Sequence, residues 1–177
     1  MLIRSRNGTE ESGFSLLEVL AALVVLSVVS LVLTSFFTNA LTYAKGNQSK
    51  TVMVNLARNA LFYMEKQSFE PIQAYFADSS HTAISCRISG CDALVSPLAE
   101  DASILQQILN PNINGVQYTI SVIYQREMHN DMLHDPDQKN MAEELLPVMV
   151  RVDRAGGTAS ARNRAEVEGY IASERVR

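Results

Sequence analysis

At 177 residues with a formal net charge of −4, the chain has room for one modest domain plus an anchor. Its weakly acidic balance argues against a general nucleic-acid binder, which carries a clustered basic surface. Two cysteines, Cys86 and Cys91, are too few for a disulfide scaffold and lack the four-ligand pattern of a structural zinc site.

Residues 1–13, MLIRSRNGTEESG, are polar, mix Arg4 and Arg6 with Glu10 and Glu11, and read as a leader. From Gly13 to Phe37 the chain runs GFSLLEVLAALVVLSVVSLVLTSFF, with Glu18 as its single charge. About nineteen residues from Val19 to Phe37 are uncharged, close to the roughly 20 apolar residues a helix needs to cross a hydrocarbon core. Residues 14–37 are therefore expected to span a membrane. A secretory signal peptide has an apolar core of about 7–15 residues with a small-residue cleavage site after it. Here the run is longer and the small residue, Gly13, precedes it, so a cut at Gly13 leaves the helix on the mature chain.

An acidic residue at the centre of a membrane helix costs roughly 2.5–3.5 kcal/mol on insertion scales and less near the end, where Glu18 lies. A free amino terminus at Phe14 would supply the opposite charge, on the same chain or on a neighbour. In the neighbour case the pair fixes the axial register of two helices, and breaking it leaves an uncompensated charge. The alternative is that Glu18 is neutral or reaches the headgroups.

The run Gly13-Phe14-Ser15-Leu16-Leu17-Glu18-Val19 resembles the cleavage and methylation motif of type IV pilins and type II secretion pseudopilins. The resemblance rests on a polar leader ending in Gly, an aromatic after it, a Glu five residues beyond the Gly and a long apolar helix, and it covers the first quarter of the chain. It implies cleavage between Gly13 and Phe14 by a membrane aspartic prepilin peptidase, N-methylation of Phe14, and an assembly role for Glu18. Positive charge alone leaves orientation undecided, since Arg4 and Arg6 precede the segment and Lys45 and Lys50 follow it. The resemblance puts the leader in the cytoplasm and the head outside the inner membrane.

Residues 38–70 continue the helix in amphipathic form, with Met53, Leu56, Ala57, Ala60 and Met64 on one face and Asn55, Arg58 and Lys66 elsewhere. Gly46-Asn47 is a weak point, and Phe62 points away from the apolar face, either as a solitary exposed aromatic or as a contact with a neighbouring helix. Glu70-Pro71 is expected to end the helix, and a head over 71–177 follows.

That head begins with a connecting loop to about Pro97, in which Cys86 and Cys91 either close a small ring or remain free thiols. Ser96-Pro97 is expected to start a short helix carrying Leu98, Ala102, Leu105 and Leu109. Period-two patterns then predict strands at Val116–Tyr124, around Val148–Val152, and from about Glu166 to Ala172 after a Gly156-Gly157 turn. The fold class is α+β: a long N-terminal helix, membrane-spanning then amphipathic, packed on a C-terminal antiparallel sheet. The pilin resemblance implies the same architecture.

Residues 129–140 hold His129, Asp131, His134, Asp135 and Asp137 without an EF-hand spacing or a defined zinc set, and read as a solvated loop. No phosphate-binding Gly-rich loop, G-x-S-x-G elbow or H-E-x-x-H is present in the sequence. His81 is the only histidine near the cysteines, and nothing there activates a thiol. The carboxylates of 65–70, 143–144 and 166–168 read as solvated faces. We expect no enzyme, no cofactor and no metal site.

The chain is most similar to a minor pilin of the pilus-modification kind, and its expected function is that of a structural subunit or assembly initiator of a type IV pilus-like filament. The apolar helix lacks the proline of major pilins, and no cysteine pair brackets the C-terminal loop. A minor pseudopilin of a type II secretion or competence DNA-uptake system is the alternative, and a signal-anchored enzyme a distant one. The resemblance implies as partners other pilins or pseudopilins, the peptidase and methyltransferase, an inner-membrane assembly platform and lipid, with no direct nucleic-acid contact.

Overall fold

The computed structural model describes residues 13–156 and 163–176. Helix α1 (Leu16–Glu65) is followed by α2 (Phe69–Ala77), β1 (Ala83–Ile84), a 3-10 turn (Ser96–Leu98), α3 (Ala102–Leu109), β2 (Asn112–Ile113) and β3 (Val116–Tyr124). Then come α4 (Arg126–His134), α5 (Lys139–Ala142), β4 (Leu145–Arg154) and β5 (Arg164–Ala172). The chain divides into two compact units between Lys45 and Gly46.

In the first unit every described residue is exposed, among them Val19, Leu23, Leu26 and Phe36. This stretch of α1 is long and apolar enough to cross a membrane. Four of its hydroxyls fold back onto the helix: Ser27 Oγ donates to Leu23 O at 2.7 Å, Thr34 Oγ1 to Ser30 O at 2.8 Å, Thr38 Oγ1 to Ser35 O at 2.9 Å and Thr42 Oγ1 to Thr38 O at 2.9 Å.

The second unit is α+β. Its sheet is antiparallel in the order β1-β3-β4-β5, with β2 also pairing with β3. Alternation along the strands sends Ile120, Val122, Val148, Val150, Val152 and Ile171 to one face. There they meet Met53, Ala57, Ala60 and Met64, which the 3.6-residue repeat stacks on one side of α1. Gly169 of β5 is a point of close approach: a Cβ there would lie 2.4 Å from Leu61 Cδ2. The long helix on an antiparallel sheet is the architecture read from periodicity, with β3, β4 and β5 where the alternation put them.

Several local expectations are corrected. Helix α1 stops at Glu65, not at Pro71. Gln67 Nε2 donates to Tyr63 O at 3.1 Å, and Lys66 N and Gln67 N make tight bonds to Tyr63 O and Met64 O. Pro71 lies in the first turn of α2, where no helical N–H is needed, so it is tolerated there. The segment expected as a loop to Pro97 thus contains α2 and β1. Ser96-Pro97 makes only a 3-10 turn. Helix α3 is started by Asp101, whose Oδ1 accepts from Ser103 N at 2.7 Å and Ile104 N at 3.3 Å. Residues 129–140 are not a loop: α4 and α5 occupy most of them. Of the Gly156-Gly157 turn, Gly157 falls outside the described residues, as does the leader up to residue 12.

Candidate processing and assembly site

Gly13, Phe14 and Ser15 are outside the helix, and Phe14 is 82% exposed. The helix begins where Ser15 caps it: Ser15 Oγ accepts from Glu18 N at 3.2 Å, and Ser15 O accepts from Glu18 N at 3.0 Å and Val19 N at 3.2 Å. The Gly13–Phe14 bond is therefore exposed, non-helical backbone. Ser15-Leu16-Leu17-Glu18 has the capping-box spacing, a local signal for this helix start.

Glu18 sits in the first turn of α1, at the end of the helix dipole that favours a carboxylate. It heads a shallow apolar groove formed with Ala21, Ala22, Val25 and Val29. The two alanines leave room for another helix backbone to come close. An amine arriving at Glu18 would meet an acceptor with no ion pair among the described residues.

The other candidate residues lie elsewhere. Cys86 and Cys91 are joined by a disulfide, with Cα atoms 4.3 Å apart. Their ring is tied to α3, since Asn110 Nδ2 donates to Cys86 O at 2.9 Å and Gln106 Nε2 to Ile88 O. The possible metal ligands of 129–140 are pulled apart by helical geometry. His129 is buried between the Tyr124 hydroxyl and Ala142 O, which lies 2.7 Å from Nε2. A carbonyl only accepts, so Nε2 carries the proton, and in the neutral ring Nδ1 accepts from Tyr124. Burial pushes the Tyr124 phenol up, and Arg126 opposes this. Asp131 is exposed on α4, and Asp135, half-buried at its C-terminal cap, accepts from Asp137 N at 3.0 Å and Gln138 Nε2 at 2.7 Å. No group of three or more ligating residues converges among the described residues.

Comparison with known proteins bears on the N-terminal segment. Residues 9–34 match the family model described as the prokaryotic N-terminal methylation motif, a span that contains Gly13, Phe14 and Glu18. The match covers this N-terminal segment alone and marks it as similar to that motif. No curated protein and no solved structure gives a significant match to the chain.

Proposed function

We propose that this chain is a minor pilin, a structural subunit or assembly initiator of a type IV pilus-like filament. It is cleaved between Gly13 and Phe14, methylated on the Phe14 amine, and held in the inner membrane with its head outside until assembly transfers α1 into a helix-lined core. There Glu18 pairs with the Phe14 amine of a neighbour. The role is packing without catalysis, and the partners are other pilins and the inner-membrane assembly platform.

The observation that carries this reading is the junction itself: an exposed, non-helical Gly13–Phe14 bond, a Ser15 cap and a lone carboxylate one turn into a helix whose stretch to Phe37 is otherwise uncharged, apolar and exposed. Fully burying a Leu, Val or Phe side chain is worth roughly 1.5–3 kcal/mol, so such a surface is stable only against lipid or other helices. The test is the mass of the mature chain, expected to begin at methylated Phe14; a mature chain beginning elsewhere refutes the reading. Capture of co-assembling subunits separates the pilus from a secretion or competence system.

A further inference from the structure

The two sides of the second unit carry surfaces of matching length and opposite charge. One is a ridge formed by the last turns of α1 and the residue just past its end. Arg58, Phe62 and Lys66 recur every four residues, all exposed, on the side turned away from the sheet. The ridge is about 12 Å long at 1.5 Å per residue. Phe62 is 61% exposed, and Lys66 Nζ stands 5.1 Å from its ring centroid. Neither cation enters an ion pair among the described residues.

The other surface is a groove of about 780 Å³ between α4 and the outer face of β4 and β5. It lies on the opposite side of the sheet from α1. Met149 and Glu168, which line it, are register partners, whereas their neighbours Val148, Val150 and Gly169 turn toward the helix. Met128, Met132 and Met149 supply adaptable apolar surface suited to an aromatic ring. Along one edge Glu127, Asp131 and Asp135 repeat every four residues, again over about 12 Å. Across from them stands Glu168. None of these four carboxylates is in an ion pair among the described residues. The one cation of the lining, Arg126, is engaged through Nη2 with Phe76 O at 2.8 Å and Asp78 O at 3.2 Å.

From this complementarity we infer that the groove receives the Arg58-Phe62-Lys66 ridge of a second copy of this chain. Phe62 seats on the methionines and the two flanking cations meet the α4 carboxylates. Because ridge and groove lie on opposite sides of the sheet, the contact is head-to-tail. Each added copy leaves one ridge and one groove free, so association propagates instead of closing as a dimer. The contact requires neither leader removal nor Glu18, so its failure leaves the processing proposal standing, and the reverse holds too.

The test is sedimentation velocity of the full chain in detergent micelles at low and high salt. Wild type is expected to show concentration-dependent association that weakens with salt. Reversing the ridge (Arg58→Glu with Lys66→Glu) or the groove (Glu127→Lys with Asp131→Lys) is expected to weaken association about tenfold or more, and combining the two reversals to restore it. Restoration excludes misfolding as the cause of the losses. A wild type that stays monomeric, or association that neither reversal changes, overturns the inference. So does a combined variant no better than either reversal while all retain native circular dichroism.

Discussion

The seat of α1 on the sheet depends on an absent side chain, and adding it back is the sharpest test of that packing. Gly169→Ala places a Cβ 2.4 Å from Leu61 Cδ2 and 3.2 Å from Leu61 Cδ1. Overpacking of this kind costs about 1–3 kcal/mol. Two effects reduce it: the clashing atoms end a flexible side chain that can rotate, and replacing Gly restricts the unfolded chain, which returns about 0.4–1 kcal/mol. The net expectation is a loss of about 1–2 kcal/mol, close to a tenfold shift in the unfolding equilibrium. Leu61→Ala, at a half-buried position, should cost about 1–2 kcal/mol, below the range for full burial. Combined, the two should cost less than their sum by at least about 0.5 kcal/mol, because the alanine methyl fills space that Leu61 vacates. Denaturant unfolding of the full chain in detergent gives the energies, and hydrogen exchange of the Met53–Met64 amides locates the change. A neutral or stabilising Gly169→Ala, or strict additivity with Leu61→Ala, refutes the close-packing argument.

Other expectations follow from particular contacts. Glu18→Ala should leave cleavage after Gly13 intact but reduce incorporation into filaments, read by fractionating processed chain between membrane and filament. Glu174 Oε1 accepts from Phe69 N at 3.0 Å, so Glu174→Ala should cost about 1 kcal/mol in denaturant unfolding, with Glu174→Gln recovering most of it. Bonds from the Ser103 hydroxyl, then from the Ser103 and Ile104 amides, hold the Asp101 carboxyl below its ordinary value of 3.8. A depressed folded value means that this stabilisation is fully present above pH 3.8 and is lost as pH falls through the folded value. Acid titration followed by exchange of the α3 amides should show that loss, and Asp101→Asn should abolish this acid-dependent component. Replacing both cysteines by serine opens a ring whose ends are five positions apart, which on chain entropy alone is worth about 2 kcal/mol. The loss should concentrate at α3, through Gln106 and Asn110.

What could be read from sequence was the part of the fold written in short-range repeats. The alternation in β3 and β4 and the three- and four-residue spacing of Met53, Ala57, Ala60 and Met64 each report directly which side faces the core. The candidate junction was legible for a similar reason, since Gly13, Phe14 and Glu18 are close neighbours in the chain. What escaped depends on distant partners. The end of α1 carries no Gly or Pro stop; Gln67 both caps it and accepts from Glu100 N at 3.1 Å. Helices α4 and α5 look like polar loop because the inward-facing polar residue of α4, His129, is satisfied by Tyr124 and Ala142. Two signals were local and still went unused. Asn114-Gly115, with φ of 52° and 77°, makes the two-residue turn that joins β2 to β3 and is a strong hairpin signal. Ser68 before Phe69-Glu70-Pro71 resembles a helix start more than a stop.

The back-bonded hydroxyls of α1 bear on the energetics of the proposed transfer from lipid to filament core. Ser27, Thr34, Thr38 and Thr42 each donate to a carbonyl within the same helix, so neither medium has to supply them with an acceptor. Their hydrogen bonding is thus the same before and after extraction. Glu18 differs: its carboxylate depends on what surrounds it. A helix built this way crosses between two solvents with these four hydroxyls indifferent to the change, while Glu18 responds to it.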